Sequence, residues 1–324
     1  MSVINVAHLS KYYQVHQKEP GLWGSVRSLF SRKYYDVKAV DDVSFTIEQG
    51  ELVGFIGPNG AGKTTTLKVL SGLLYPTGGE VSVLGYEPWK RQPQFQKQFA
   101  LVMGQKNQLW WDLPAMESFI LNKEIYEVPD DQFNKTIAEL SDMLDIADIL
   151  KVQVRKLSLG QRMKAELVAA LLQSPKVLFL DEPTIGLDVV AQKKMREFVK
   201  EYNTRHQATI ILTSHYMDDV KELCKRVVII DHGKILFDGL LADVVTKYAD
   251  HKTIVATFDG VVSREALAKI GEVKEFDLPK VTINVPRAQT TQRASQLLNE
   301  FSVADLTIEE PAIEDIIREV FSGR

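Results

Sequence analysis

A glycine-rich segment at residues 57–65 has the residue types and the spacing that bind the phosphates of a nucleotide. Its glycines allow successive backbone N–H groups to turn towards one anion, and the start of a helix adds a partial positive charge. Lys63 brings a full charge to the β- and γ-phosphates, and the Thr64 hydroxyl is placed to bind Mg²⁺. The residues expected to contact nucleotide here are Gly57, Pro58, Asn59, Gly60, Ala61, Gly62, Lys63, Thr64 and Thr65.

Two acids and a histidine farther along the chain suit the hydrolysis of a phosphate. Asp181 and Glu182 follow four consecutive apolar residues, 177–180, which predict a strand buried on both faces. Asp181 can hold Mg²⁺ through water, and Glu182 can accept a proton from the attacking water; the alternative is a solvated strand end. His215 follows the apolar run 209–214 and can donate a hydrogen bond to a γ-phosphate, although a single histidine is more often structural.

These residues need a parallel sheet to bring them together. Residues 52–56 predict a buried strand that runs into the glycines, and residues 65–70 predict the helix that follows. In an open parallel sheet the ligand lies beyond the carboxyl ends of the strands. We therefore expect an α/β fold in which both acids and the phosphate loop, residues 57–65, share one edge of the sheet.

Three further segments have two interpretations each. Tyr13 lies at the end of a predicted strand, where it can stack on adenine or pack at a sheet edge. Ser158 and Gly160 begin a predicted helix, where they form either a second anion site or a plain helix cap. The adjacent Trp110 and Trp111 suit contact with another chain or, nearly as well, packing in the core.

The segment 20–33 is an insert between two predicted strands. One helical face of this insert collects apolar residues, namely Leu22, Trp23, Val26, Leu29 and Phe30. Basic residues stand beside that face, at Arg27, Arg32 and Lys33. A short basic amphipathic helix suits a membrane surface or the groove of a partner, and the alternative is a helix packed on its own sheet.

Composition and charge narrow the class of protein. The 324 residues are 45% hydrophobic and 25% charged, the balance of a globular chain of about two domains. The net charge of −4 means that the chain has no excess of positive charge with which to bind nucleic acid. A single cysteine, Cys224, excludes an internal disulfide framework and favours a reducing compartment. No apolar run is long enough to span a bilayer and residues 1–10 do not resemble a signal peptide, so we expect a soluble chain.

The order and spacing of these motifs resemble those of an ABC transporter ATP-binding subunit. The segments that carry the resemblance are the phosphate loop, Gln105, residues 157–161, residues 180–183, residues 186–188 and His215. The resemblance implies ATP and Mg²⁺ as ligands, with Thr64, Gln105 and Asp181 at the metal. It makes Glu182 the general base, His215 the switch histidine, Asp188 the link between two active sites, and Tyr13 the adenine-stacking aromatic.

In this family the nucleotide lies between two subunits. By resemblance, Ser158 and Gly160 would contact the γ-phosphate bound by the other subunit, and Gln161 completes the same motif. This chain has Leu159 in the third place of the usual Leu-Ser-Gly-Gly-Gln, which leaves the serine and second glycine donors in place. The resemblance therefore implies that two copies of the chain form a head-to-tail dimer.

The resemblance also suggests a division of the chain. It predicts an α/β phosphate-loop ATPase cassette at residues 1–240, with an insert at 15–37 and a helical subdomain at 106–172. The pattern of residues 241–324 predicts a small α+β domain in the order β-α-β-β-α-β. The ending at residues 310–315 resembles ATPases that serve ABC-2 type exporters, and the insert resembles the gate-type helix of exporters for polysaccharides and drugs.

These resemblances predict an ATP-hydrolysing subunit that works at the cytoplasmic face of the cell membrane on a separate ABC-2-like integral membrane permease. One cassette without a membrane span must borrow a second copy and a membrane partner. The first alternative is a soluble ABC ATPase acting on DNA or ribosomes, but neither a long coiled-coil insertion nor a second cassette is visible. The second is a regulatory module that hydrolyses little, and the presence of Glu182 and His215 argues against it.

Overall fold

The computed structural model describes residues 2–16, 34–104 and 106–322. Two features singled out from the sequence, the amphipathic insert at 20–33 and Gln105, therefore lie outside the described residues. The chain divides into two compact units, Met1–Asp238 and Gly239–Arg324.

The first unit contains two sheets. Its strands are β1 Ser2–His16, β2 Tyr34–Glu48, β3 Leu52–Ile56, β4 Gly78–Val83, β5 Phe99–Met103, β6 Val177–Asp181, β7 Thr209–Thr213, β8 Arg226–Asp231 and β9 Lys234–Leu240. The larger sheet has the order β5-β6-β7-β3-β8-β9, and its strands from β5 to β8 pair in parallel. The smaller sheet is antiparallel with the order β2-β1-β4. Strands β1 and β2 are longer than the sequence predicts and include both ends of the segment 15–37.

Helices follow the strands of the first unit and also form its helical part. They are α1 Lys63–Leu70, α2 Pro93–Gln96, α3 Ala115–Tyr126, α4 Asp130–Leu144, α5 Leu159–Leu171, α6 Val189–His206 and α7 Met217–Leu223. Both α3 and α4 pack against α5, seven residues of which are buried. In the described parts of the chain, no helix combines the length and the apolar character needed to cross a membrane.

The middle of the larger sheet sets the place of the site. Every residue of β6 and β7 is buried, because central strands of a parallel sheet are covered on both faces. The order β6-β7-β3 places the carboxyl ends of these three strands side by side. Asp181 ends β6, Gly57 follows β3 and His215 comes two residues after β7, so all three emerge at one edge.

The second unit is a four-stranded antiparallel sheet with helices. Its strands are β10 His251–Phe258, β11 Glu272–Asp277, β12 Lys280–Pro286 and β13 Val303–Glu309, in the sheet order β11-β12-β10-β13. Its helices are α8 Leu241–Tyr248, α9 Arg264–Leu267, α10 Thr290–Glu300 and α11 Ile313–Ser322. The stretch from β10 to β13 has the β-α-β-β-α-β order that the sequence predicts. Strand β11 was not among the predicted strands, because it is a charged edge strand without buried positions.

Candidate nucleotide site

The phosphate loop, residues 57–65, passes between β2 and β8 at two points of very close approach. A Cβ at Gly57 would lie 2.2 Å from the Ile230 carbonyl oxygen, and one at Gly62 would lie 2.4 Å from the Ala39 carbonyl oxygen. Gly62 also has a φ of +110° and is the N-cap of α1, a left-handed backbone that favours glycine. The small cleft beside the loop is lined by residues 59–65 together with Ala39 and Glu182.

Lys63 folds back over this loop. Its Nζ donates hydrogen bonds to the carbonyl oxygens of Gly57 at 2.7 Å and Pro58 at 3.0 Å, and the residue is 5% exposed. Burial lowers the pKa of Lys63 below its ordinary value, while the charges of Glu182 and Asp181 oppose that effect. The ammonium group is therefore held beside the backbone donors of the loop, in a position that suits an incoming phosphate.

Asp181 is fixed by two threonines. The Thr64 hydroxyl donates to its carboxylate at 2.9 and 3.1 Å, and the Thr213 hydroxyl donates to Oδ1 at 2.8 Å. Asp181 is 8% exposed, so these bonds compensate much of the cost of burying its charge. The carboxylate of β6 and the hydroxyl at the start of α1 thus form one cluster of hard oxygen ligands.

Glu182 and His215 are in direct contact. Glu182 Oε1 lies 2.6 Å from His215 Nε2, and the two side chains are 14% and 33% exposed. Glu182 has a φ of +56°, a left-handed conformation that costs a non-glycine residue roughly 1–2 kcal/mol. Its backbone is held by the Thr213 hydroxyl, which accepts from the Glu182 N–H at 3.0 Å, and by Gly104, where a Cβ would lie 2.1 Å from the Glu182 carbonyl oxygen.

Four other predicted nucleotide residues, Ser158, Gly160, Gln161 and Asp188, form a second cluster. Ser158 is the N-cap of α5 and exchanges hydrogen bonds with Gln161, whose N–H donates to Ser158 Oγ at 3.2 Å. Asp188 is the N-cap of α6 and accepts from the Ala191 N–H at 2.8 Å. The two helix starts adjoin, because a Cβ at Gly186 would lie 3.0 Å from the Leu159 side chain. No hydrogen bond of the described residues joins Ser158 to the phosphate loop of the same chain.

Tyr13 lies in the smaller sheet. It pairs with Val37 of β2, two residues from Ala39, whose carbonyl oxygen faces Gly62. Lys11 Nζ lies 5.2 Å from the centre of the Tyr13 ring, which adds a cation–π contact on the strand. Its predicted role at adenine remains a prediction, as does that of Gln105 at the metal.

Two supporting residues were missed in the sequence. Thr213 bonds both Asp181 and Glu182, and Gly104 admits the Glu182 backbone at close range. The available signal was the polar end of an otherwise apolar strand: β7 ends in a threonine beside the acids of its neighbour β6. Gly104 carried no signal, because the close approach depends on a segment 78 residues away.

A buried carboxylate also lies on α5, the helix that Ser158 caps. Glu166 is 1% exposed, and its nearest ion-pair partner, Arg162 Nε, is 3.7 Å away. Burial raises the pKa of Glu166 to about 7, although the Arg162 guanidinium favours the charged form. Arg162 in turn lies 5.8 Å from the ring centre of Trp111, which is half exposed.

The stability of the chain should therefore carry a pH dependence that Glu166→Gln removes. The native state keeps a proton on Glu166 that the unfolded state releases at about pH 4.5, so this contribution is complete below that pH and is lost as the pH rises through about 7. Between about pH 5 and pH 8, we expect the free energy of unfolding of the wild type to fall by about 1–3 kcal/mol relative to that of the variant. Thermal denaturation midpoints across this range measure the difference.

The matched control for this experiment is Glu197→Gln. Glu197 is a helical glutamate on α6 whose side chain is 58% exposed. Its substitution is expected to leave the pH profile of the midpoint unchanged. A difference between Glu166→Gln and the wild type that stays constant across the range would contradict the raised pKa.

Two known domain families match the sequence. The family described as "ABC transporter" matches residues 40–185, and the family described as "EvrA-like ABC transporter, C-terminal domain" matches residues 250–309. The first match begins within β2 and ends just after the acids of β6, so it includes the whole phosphate loop. The second match lies within the four-stranded unit.

Individual proteins agree with this result. The chain is 35% identical over 215 residues to the ABC transporter ATP-binding protein NatA of Bacillus subtilis, which covers 65% of this chain and 87% of that protein. It is 30% identical over 294 residues to the linearmycin resistance ATP-binding protein LnrL of Bacillus subtilis, and the alignment covers 87% of this chain and 94% of LnrL. A dimeric post-hydrolysis structure of the ATP-binding cassette MJ0796 bound to ADP and Pi has a TM-score of 0.61 at 21% identity. The match covers 73% of this chain and 98% of the MJ0796 chain. These similarities confirm the fold class expected from the sequence.

Proposed function

This chain belongs to the ABC transporter ATP-binding proteins, and on that premise we propose that two copies of it close around ATP, hydrolyse it and thereby drive an exporter in the membrane. The observation that carries the proposal is the convergence of the phosphate loop, Asp181, Glu182 and His215 at one edge of the parallel sheet. Together these groups can bind the phosphates of a nucleoside triphosphate, position a metal ion and activate water for hydrolysis.

The residues divide the chemistry among them. The loop N–H groups and Lys63 hold the phosphates, because a buried ammonium with neighbouring donors gains strongly from a dianion. Glu182 takes the proton of the attacking water as general base. His215 contacts Glu182 through Nε2 and orients that carboxylate, and its N–H would donate to the γ-phosphate once nucleotide is bound. The strained backbone at Glu182 fixes the direction of its side chain.

The oxygen cluster of Thr64 and Asp181 fits Mg²⁺. A hydroxyl and a carboxylate within 3.1 Å of each other are the ligand types this ion takes. Throughout the described residues, no group of three or more His, Cys, Asp or Glu side chains could hold a metal alone. Proteins usually bind Mg²⁺ through one or two carboxylates together with substrate phosphates and water, and Thr64 and Asp181 would supply the protein ligands here. When bound, the ion neutralises charge on the phosphates. Gln105, the third ligand implied by the resemblance, lies outside the described residues.

Two copies are needed because the nucleotide residues lie in two clusters. Ser158 and Asp188 cap the adjoining starts of α5 and α6, and Gly160 lies in the first turn of α5. In a head-to-tail pair the Ser158–Gly160 turn of one copy covers the phosphates on the other copy's loop. Two phosphate-rich sites repel each other unless donors of both chains surround them, so ATP closes the pair and phosphate release reopens it.

The partner in the membrane is an ABC-2-like permease, and the chain works at its cytoplasmic face. Three observations support this: the name of LnrL states a role in resistance to linearmycin, the second unit matches an ABC transporter C-terminal domain, and the insert at 20–33 is basic and amphipathic. Exposed Trp110 and Trp111, 56% and 49% exposed, add apolar area to the helical part of the cassette.

Replacing Trp23 and Phe30 by Ser tests the membrane assignment. We expect the double variant to reduce recovery with the membrane protein that co-purifies with the wild-type chain by about tenfold or more, since each buried aromatic contributes roughly 1.5–3 kcal/mol. ATP turnover of the purified variant should survive, because neither residue is among those predicted to contact nucleotide. Detergent extraction and quantification of both proteins give the measurement.

The control is Val261→Ser, which changes an apolar residue that is 97% exposed in the second unit. Recovery of this variant should equal that of the wild type. If the complex forms unchanged with the Trp23 and Phe30 variant, the insert packs on its own domain. If the wild type is recovered only with ribosomes or DNA, the exporter proposal is wrong.

A further inference from the structure

A fully buried carboxylate is hydrogen-bonded to residues near Glu182 and His215 in the chain. Asp219 on α7 has 0% exposure, and three side chains donate to it. The Thr184 and Ser214 hydroxyls donate to Oδ2 at 2.5 and 2.6 Å, and Arg196 Nη1 donates to Oδ1 at 3.0 Å. Both carboxylate oxygens are therefore satisfied, which compensates the burial of the charge.

Two of the donors lie beside the proposed catalytic residues, and the third lies on α6. Thr184 lies two residues after Glu182, and Ser214 directly precedes His215. Arg196 lies on α6, whose N-cap is Asp188, and it is also bonded to Glu222 at 2.5 Å. One carboxylate thus holds the loop after β6, the loop after β7 and the helix that begins at Asp188.

Stabilisation of α7 alone does not account for this arrangement. Every side-chain hydrogen bond of the Asp219 carboxylate reaches a residue outside α7, so the carboxylate joins this helix to other segments and makes none of the i,i+3 or i,i+4 pairs that stabilise a helix from within. The Ser214 hydroxyl is fixed twice, since it donates to Asp219 and accepts from the Tyr216 N–H at 3.0 Å. That second bond spans His215 and sets the backbone on both sides of the histidine.

We propose that Asp219 is a positioning residue for ATP hydrolysis, which holds the Glu182 carboxylate and the His215 imidazole in register and ties both to α6. The proposal rests on the roles proposed above for Glu182 and His215. The 2.6 Å contact between those two side chains depends on two loops that leave neighbouring strands. Strand pairing and Thr213 fix where these loops begin, and the Asp219 carboxylate joins them again through Thr184 and Ser214. Small displacements of reacting groups lower turnover steeply, without a matching loss of substrate binding.

The test is Asp219→Asn, which keeps the shape of the side chain but turns one acceptor oxygen into a donor. We expect turnover to fall by about tenfold while the KM for ATP stays within about twofold, since the phosphate loop is untouched. In the His215→Ala background the same substitution should cost little more, because Asp219 acts through that histidine and its partner. A general folding defect would lower turnover to the same extent in both backgrounds.

A second pair of variants keeps the test valid if Asp219→Asn folds poorly. Thr184→Val removes one hydroxyl donor at nearly constant shape, and Thr184→Ser restores that hydroxyl. We expect turnover to fall severalfold in the first and to recover in the second. Asp238→Asn is the control, because Asp238 also pairs with an arginine, Arg226, at 2.8 Å, but at the far end of the sheet; its turnover should match the wild type.

The outcomes separate this inference from the proposed function. If Asp219→Asn and Thr184→Val both turn over ATP within about twofold of the wild type, Asp219 is not a positioning residue. Full addition of the Asp219→Asn loss to that of His215→Ala overturns it as well. If the wild type itself shows no ATP turnover in the same assay, the proposed function fails instead.

Discussion

Glu182→Gln is expected to lower ATP turnover by about 10² or more while nucleotide binding and ATP-dependent pairing of two copies persist. The amide retains the size of the side chain and an oxygen that can accept from His215, which now lies 2.6 Å from Glu182. It cannot take a proton from water at neutral pH. The bound nucleotide therefore remains unhydrolysed, and the closed pair accumulates. Steady-state phosphate release and size-exclusion chromatography with and without ATP measure the two effects.

Glu51→Gln is the matched control for this substitution. Glu51 precedes β3 at the end opposite the phosphate loop and pairs with Arg226 at 3.1 Å. Its loss should leave turnover unchanged and cost no more than a partly exposed ion pair does, about 1 kcal/mol or less. Undiminished turnover in Glu182→Gln would place the general base elsewhere in the chain.

Much of the hydrolytic cluster could be predicted from the sequence. The glycine-rich loop follows one buried strand, and the two acids follow another. They can meet only if both strands are parallel and near each other, and apolar runs indicate such strands. Asp181 and Thr64 do meet, at 2.9 and 3.1 Å. The predicted proximity of these strand ends is observed because the rule concerns strand ends, which a short motif marks clearly, while the chemical roles of the residues stay predictions.

The supporting contacts were not predictable in the same way. Thr213, Gly104 and Asp219 carry no motif, and their roles arise from pairs far apart in sequence, such as Asp219 with Thr184 and with Arg196. The close approach of Gly104 to Glu182 is likewise a property of two neighbouring strands. A single sequence reports which side chains are present, but not which of two hydroxyls reaches a buried carboxylate.

The role of Ser158 illustrates a different limit. From the sequence, a serine and a glycine before a helix indicate either an anion site or a cap, and Ser158 does cap α5 through the Gln161 N–H. The two interpretations are compatible, because the serine is exposed and the first N–H groups of a helix also bind anions. Only contact between Ser158 and a phosphate bound to a second copy would show that this turn is an anion site as well as a cap.

Mixing two inactive variants provides that distinction. Lys63→Ala removes the charge that holds the phosphates, and Ser158→Arg blocks the turn that would cover them. The turnover of each variant alone should therefore fall by a factor of about 10² or more. In a mixed pair, the intact loop of the Ser158→Arg chain meets the intact turn of the Lys63→Ala chain. Half of the pairs in an equal mixture are mixed and each has one complete site, so about a quarter of wild-type turnover should return if the sites act independently.

The stability cost of Ser158→Arg can be separated from its effect on the site. Ser263 is also an exposed serine N-cap, and its Oγ accepts from the Ala266 N–H at 3.2 Å at the start of α9 in the second unit. Ser263→Arg should lose the same cap, about 1 kcal/mol, with wild-type turnover. Differently tagged chains show that mixed pairs have formed. If such pairs form and the mixture remains as inactive as its components, the nucleotide is not shared between two copies.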